Sequence, residues 1–208
     1  MMNRAASITN IRQKPLPWLV LGGLLTSVLF LIYLAPEEAT LGTGIRAVYI
    51  HVALTWTGMA GLTLAGLLGL ALFVSANEKL IRWMQTLGWV AFGFYLAGII
   101  MSAVASKVNW GGVFWQEPRM AAALNNLAVA IILLTLNMLI RWVRMRGFLQ
   151  AVVPVLMIWI TSRAPLVLHP SNPIRSSEAV NIQFTFIAFF LLFSAIAAWI
   201  IWKLIKLP

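Results

Sequence analysis

Apolar residues run through this chain in long unbroken blocks, not in the alternation of a half-buried strand or the three-and-four spacing of a water-soluble helix. Six blocks stand near 17–35, 50–74, 83–105, 119–141, 147–163 and 180–202, separated by short polar punctuation. About 20 apolar residues in a helix, rising roughly 1.5 Å each, cross a hydrocarbon core of about 30 Å. The pattern therefore predicts an all-α, polytopic integral membrane protein with six transmembrane helices. No internal repeat or low-complexity linker interrupts it, so residues 1–208 are expected to form a single six-helix domain.

Composition sharpens this expectation. With 62% hydrophobic and 10% charged residues, too little polar surface exists to cover a soluble globule. The first block follows a basic, polar stretch from Asn3 to Lys14, as a signal peptide would. Its apolar run is longer than a signal core, however, and Tyr33, Leu34, Ala35 and Pro36 make a poor cleavage site. A retained first span is expected.

The net charge of +10 does not indicate nucleic acid, because the basic residues are dispersed over loops. Numbering the loops in order, one side receives Arg4, Arg12, Lys14, Lys79, Arg82, Arg141, Arg144, Arg146, Lys203 and Lys206. The other receives Arg46, Lys107, Arg119, Arg163 and Arg175, together with Glu37, Glu38, Glu117 and Glu178. Basic residues collect on the cytoplasmic side of membrane proteins. Both termini are thus expected in the cytoplasm, with loops 36–49, 106–118 and 164–179 outside a cytoplasmic (inner) membrane.

No block carries an acid or base near its middle; the polar residues there are mild ones such as Thr63, Tyr95, Asn125, Asn126 and Ser194. Ion-coupled transporters generally place ionisable groups inside the bilayer, so active transport by this chain alone is disfavoured. In the second block Gly58, Gly61, Ala65 and Gly69 line one helix face, a pattern that lets helices approach closely in lipid.

The residues able to carry chemistry gather on the outer side. The two histidines, His51 and His169, fall at the opening of the second block and in the fifth-to-sixth loop, where Pro165 and Pro170 stiffen the chain around His169. Between the third and fourth blocks lie Trp110, Gly111, Gly112, Phe114, Trp115, Glu117, Pro118 and Arg119. Either histidine, or the aromatics, would also suit the polar and aromatic belt at helix ends. Glu117 and Pro118 make a favourable helix start. Arg119 opposes the helix dipole there, so it pairs with Glu117 or meets a carboxylate from elsewhere. Two imidazoles, an aromatic shelf and arginines together suit a flat, doubly carboxylated iron ligand, haem. The chain has no cysteine, which excludes disulfides, thiolate ligation and thioether attachment; the haem would be non-covalent haem b.

Arg46, Tyr49, Ile50 and His51, the tryptophan segment from Trp110 to Arg119, and Leu168, His169 and Pro170, set on six spans, resemble the cytochrome c assembly family of haem-handling membrane proteins. The likeness covers most of the chain. It implies haem held at the outer face by His51 and His169 as axial ligands, on a platform including Trp110, Gly111, Phe114, Trp115 and Glu117, with Arg46 and Arg119 facing the propionates. It also implies a periplasmic haem chaperone and ATP-binding transporter subunits as partners. The chain departs from the family pattern where Phe114 and Gln116 replace tryptophans, Glu117 replaces an aspartate, and a tryptophan before the second histidine is missing.

The expected function is haem binding and delivery for cytochrome c maturation, without catalysis: no nucleophile-base-acid set, metal cluster or phosphate loop is evident. The alternatives are a transporter of haem or another hydrophobic anion, which needs a polar path through the bundle, and a structural subunit that docks through its loop aromatics.

Overall fold

The structure is a computed structural model that describes residues 16–165 and 179–207. Six helices follow one another: α1 (Leu16–Leu34), α2 (Ile45–Ser75), α3 (Lys79–Trp110), α4 (Pro118–Leu139), α5 (Val143–Arg163) and α6 (Val180–Lys206). Each is long and apolar enough to cross a membrane. Among the described residues there is no strand, only an isolated bridge between Glu38 and Gly42 in the α1–α2 connection.

The six spans expected from hydropathy are all present, but the longest helices outrun their apolar blocks. α2 begins at Ile45, not near residue 50, and α3 continues to Trp110, not to 105. Hydropathy marks the stretch that tolerates hydrocarbon, whereas a helix continues until its backbone is made to turn. Lys107 and Asn109 extend α3 into the polar zone without breaking its hydrogen bonding. Consequently the outer loop expected over 36–49 ends before residue 45, and the one expected over 106–118 shrinks to 111–117.

Successive helices alternate in direction, as their end contacts show. At one end Arg82, opening α3, donates to the Leu204 and Leu207 carbonyls closing α6. Arg144, opening α5, donates to the Phe73 and Val74 carbonyls closing α2, at 3.0 and 3.2 Å. Trp199 Nε1 donates to the Pro17 carbonyl across α6 and α1, at 2.9 Å. Each arginine supplies donors that the last turn of a helix lacks. At the other end Asn109, near the close of α3, donates to the Gly44 carbonyl just before α2, at 3.2 Å.

Helix α2 is the central element, packed against α3, α5 and α6, while α1 lies at the edge against α6. Missing side chains set these approaches. A Cβ on Gly58 would stand 2.5 Å from the Tyr95 backbone nitrogen, and one on Gly61 would stand 2.6 Å from the Ala91 Cβ. Further along α2, Gly66 meets the Pro154 ring and Gly69 meets Gln150 and Gly147 of α5. The small-residue stripe thus serves two neighbours in turn. One apolar core joins α2 to α5 through Leu62, Tyr95, Leu134 and Val153; a second joins α1, α2 and α6 through Val28, Tyr49, Phe186 and Phe189.

Polar residues inside the bundle tie helices together. Gln85 donates to Asn137 at 3.2 Å, Asn137 to the Arg146 carbonyl at 2.7 Å, and Asn126 to Thr161 at 2.9 Å. Each of these amides bonds across helices, as polar groups in hydrocarbon surroundings tend to do; the Asn126 Oδ1 is buried without a hydrogen-bond partner among the described residues.

Gly58→Leu is expected to lower stability by about 1–3 kcal/mol, the usual cost of overpacking a close contact, because its side chain meets Tyr95 backbone that cannot rotate away. Gly93→Ala, where a Cβ meets nothing within 4 Å, is expected to leave stability unchanged or slightly raised. Reversible unfolding in mixed micelles measures both.

Candidate functional site

His51 is the seventh residue of α2, about 9 Å along the helix from Ile45 at roughly 1.5 Å per residue. It stands at the start of the apolar block, about one and a half turns after the helix itself begins. Its imidazole is half-buried and turned toward α3, where Nδ1 lies 2.9 Å from the Gly98 carbonyl. A carbonyl oxygen can only accept, so Nδ1 carries a proton. Metal-ligating histidines are commonly oriented in this way, by a backbone carbonyl on the other ring nitrogen.

The contact depends on Gly98. A Cβ there would stand 2.5 Å from Thr55 Oγ1 and 2.8 Å from the Thr55 backbone nitrogen, so any side chain would push α3 away from α2. Thr55 Oγ1 in turn donates to the His51 carbonyl at 2.8 Å. Gly98 and Thr55 escaped the sequence reading. Gly98 has only the weak signal of standing three residues after Tyr95, which packs on Gly58 of the same helix pair.

The tryptophan segment forms where α3 ends. Gly111 adopts the left-handed conformation (φ 77°), a region open to glycine without steric penalty, and its N–H caps the Lys107 carbonyl. Ser106 Oγ donates to the Gly112 carbonyl at 2.7 Å, closing the reversal. The chain then carries Phe114 and Trp115 outward beside Trp110; all three rings are exposed, Trp110 and Trp115 at 57% each. Arg163, closing α5, lies over the Trp159 ring at 5.9 Å.

Glu117 ends the segment as the N-cap of α4. Its carboxylate accepts from the Met120 N–H at 2.8 Å and is buried, with Pro118 in the first turn. The helix-start role expected for Glu117 and Pro118 is thus present. Arg119 follows, half-buried, with its Nε shielded and without a hydrogen-bond partner among the described residues.

Arg46 stands in the first turn of α2. Five residues before His51, it lies about 140° around the helix from it, and its guanidinium pairs with Glu37 at 3.8 Å. Its Nε is likewise shielded and without a hydrogen-bond partner among the described residues. Glu38 organises the same connection: its carboxylate accepts from the Thr40 and Leu41 N–H groups, both at 2.8 Å. The Leu41 bond first, then the Thr40 bond, holds the Glu38 carboxyl below its ordinary pKa.

Trp110, Gly111, Phe114, Trp115, Glu117 and Arg119 are therefore neighbours along one loop and its flanking helix ends. Asn109 joins that loop to Gly44, and so to the start of the helix that carries Arg46 and His51. His51 itself lies deeper. Its partner Gly98 precedes Trp110 by twelve residues, about 18 Å of helix. His169 lies outside the described residues.

Compared with known proteins, the chain matches no family model and no curated sequence.

Glu117→Ala is expected to cost about 1 kcal/mol through loss of the cap, while Glu117→Asp, another good capping residue, keeps most of it; unfolding in micelles compares them. The Glu38 turn has a definite pH sense. Its carboxyl titrates lower when folded, so its contribution is present above the ordinary carboxylate pKa and is lost as pH falls through the lowered one. Amide exchange at Thr40 and Leu41, corrected for intrinsic rate, is expected to accelerate across that acid window and not above it.

Proposed function

We propose that this protein binds haem at its tryptophan-loop end and delivers it for cytochrome c maturation. The observation that carries the reading is the Gly98 carbonyl on His51 Nδ1, which gives a half-buried imidazole a fixed direction, as the supporting partner of a metal-ligating histidine does. Three further features suit the same ligand. Exposed rings of Trp110, Phe114 and Trp115 offer an apolar shelf for a macrocycle. Arg119 and Arg46 retain shielded N–H donors without hydrogen-bond partners among the described residues, and a propionate would satisfy them. The charge near the loop is mixed, so an anionic ligand meets arginines without a field strong enough to prevent release.

In this reading His51 and His169 would hold the iron, and Arg46 and Arg119 would take the carboxylates. Bound haem would supply a redox-active iron for transfer to an acceptor. The chain's own residues would orient it, shield one face and hold its carboxylates. The resemblance to the cytochrome c assembly family adds the setting: a cytoplasmic (inner) membrane with both termini in the cytoplasm, a periplasmic haem chaperone as acceptor, and ATP-binding transporter subunits alongside.

Purified protein titrated with haem is expected to develop a Soret band that His51→Ala and His169→Ala each shift or abolish. Gly98→Ala, which displaces α3 from His51 without removing a ligand, is expected to weaken haem binding by about 10–100-fold, the usual effect of disturbing a ligand's supporting shell. Absence of the band in the unaltered protein would remove the proposal; loss in only one histidine variant would restrict it to a single protein ligand.

A further inference from the structure

The end of the bundle where α1 begins and α6 closes differs in chemistry from the loop end. Its described residues include Lys79, Arg82, Arg141, Arg144 and Arg146, with Lys203 and Lys206 at the close of α6, against one acid, Glu78. Tryptophans mark a level there. Lys203 Nζ lies 4.9 Å from the centre of the Trp18 ring, and Lys206 Nζ lies 4.1 Å from that of Trp202. Ammonium groups held over indoles in this way sit at the headgroup boundary, stems in the apolar layer and charges in water.

At this end an open groove of about 730 Å³ runs between the close of α2 and the opening of α5. Phe73, Met145 and Phe148 give it an apolar lining, and Trp142, 76% exposed, stands at its edge. Arg144 lines it too. One guanidinium nitrogen, Nη1, serves the Phe73 and Val74 carbonyls. A guanidinium has five N–H donors, and this exposed side chain keeps others for an anion. Arg141 is exposed three residues earlier, in the short connection between α4 and α5.

We infer that this groove binds an anionic phospholipid, with an acyl chain along Phe73, Met145 and Phe148 and the phosphate on Arg144 and Arg141. Three properties select this occupant. The lining is apolar where a chain would lie, the rim is cationic where a headgroup would lie, and the belt of tryptophans puts both at the depth where a lipid presents them. A soluble polypeptide would have to enter the headgroup layer to reach the same surface.

Native mass spectrometry from nanodiscs of equimolar phosphatidylglycerol and phosphatidylcholine tests this. The unaltered protein is expected to retain phosphatidylglycerol preferentially, by about five-fold for each arginine engaged, since one basic group near a lipid surface contributes about 1 kcal/mol. Arg141→Gln, which leaves the Arg144 cap on α2 intact, is expected to reduce the preference about five-fold, and the Arg141→Gln, Arg144→Gln pair to bring it near parity. Met145→Trp fills the groove while keeping both charges, and is expected to reduce retention of phosphatidylglycerol. Equal retention of the two lipids by the unaltered protein, undiminished preference in the paired variant, or undiminished retention in Met145→Trp would each overturn the inference. So would a dimer of this chain that Met145→Trp dissociates, because the groove would then seat a second copy.

Discussion

The closeness of α2 to α3 is the constraint from which the rest of the molecule follows. In lipid no hydrophobic force draws one apolar helix to another, so packing contact decides their separation. Gly58 and Gly61 on α2 and Gly98 on α3 remove the side chains that would hold the backbones apart. One consequence is structural: α2 becomes the axis around which α3, α5 and α6 assemble. Another is chemical, since only at this separation does a main-chain oxygen of α3 come within 2.9 Å of a histidine ring on α2.

How much of this could be read in advance depended on the kind of signal. Six spans were legible because hydropathy over about 20 residues measures solvent preference directly. The helix start at Glu117 and Pro118 was legible because it depends on local chemistry. The beginning of α2 was not, since Ile45 to Ile50 are helical for hydrogen-bonding reasons and lie partly outside the apolar block. Gly98 was least legible of all. Its meaning comes from Thr55 and His51 on another helix, and a single sequence does not tell which face of α3 meets which face of α2. The partnership between Asn137 and the Arg146 carbonyl was hidden for the same reason.

The candidate site is accordingly layered. An exposed aromatic rim lies at the loop, and a directed imidazole lies within α2, about 9 Å along the helix from its first residue. Such a layout suits a ligand that is itself divided, apolar over most of its area and charged along one edge. It also separates two tasks. Arg46 and Arg119 stand at helix ends beside the loop, while the direction of His51 is set further along the helices, where Gly98 of α3 meets Thr55 of α2.

The arginine contacts at the opposite end have a consequence for how the protein keeps its orientation. Arg82 and Arg144 are among the cations whose asymmetric placement favours one orientation during insertion, and in the finished fold they latch onto the carbonyl termini of α6 and α2. Inverting either hairpin afterwards would require releasing those latches and dragging a guanidinium through hydrocarbon, where even lenient scales put the cost at about 3 kcal/mol for the charge alone. The same side chains thus serve twice, as part of the charge difference between the two ends and as latches that any inversion would first have to release.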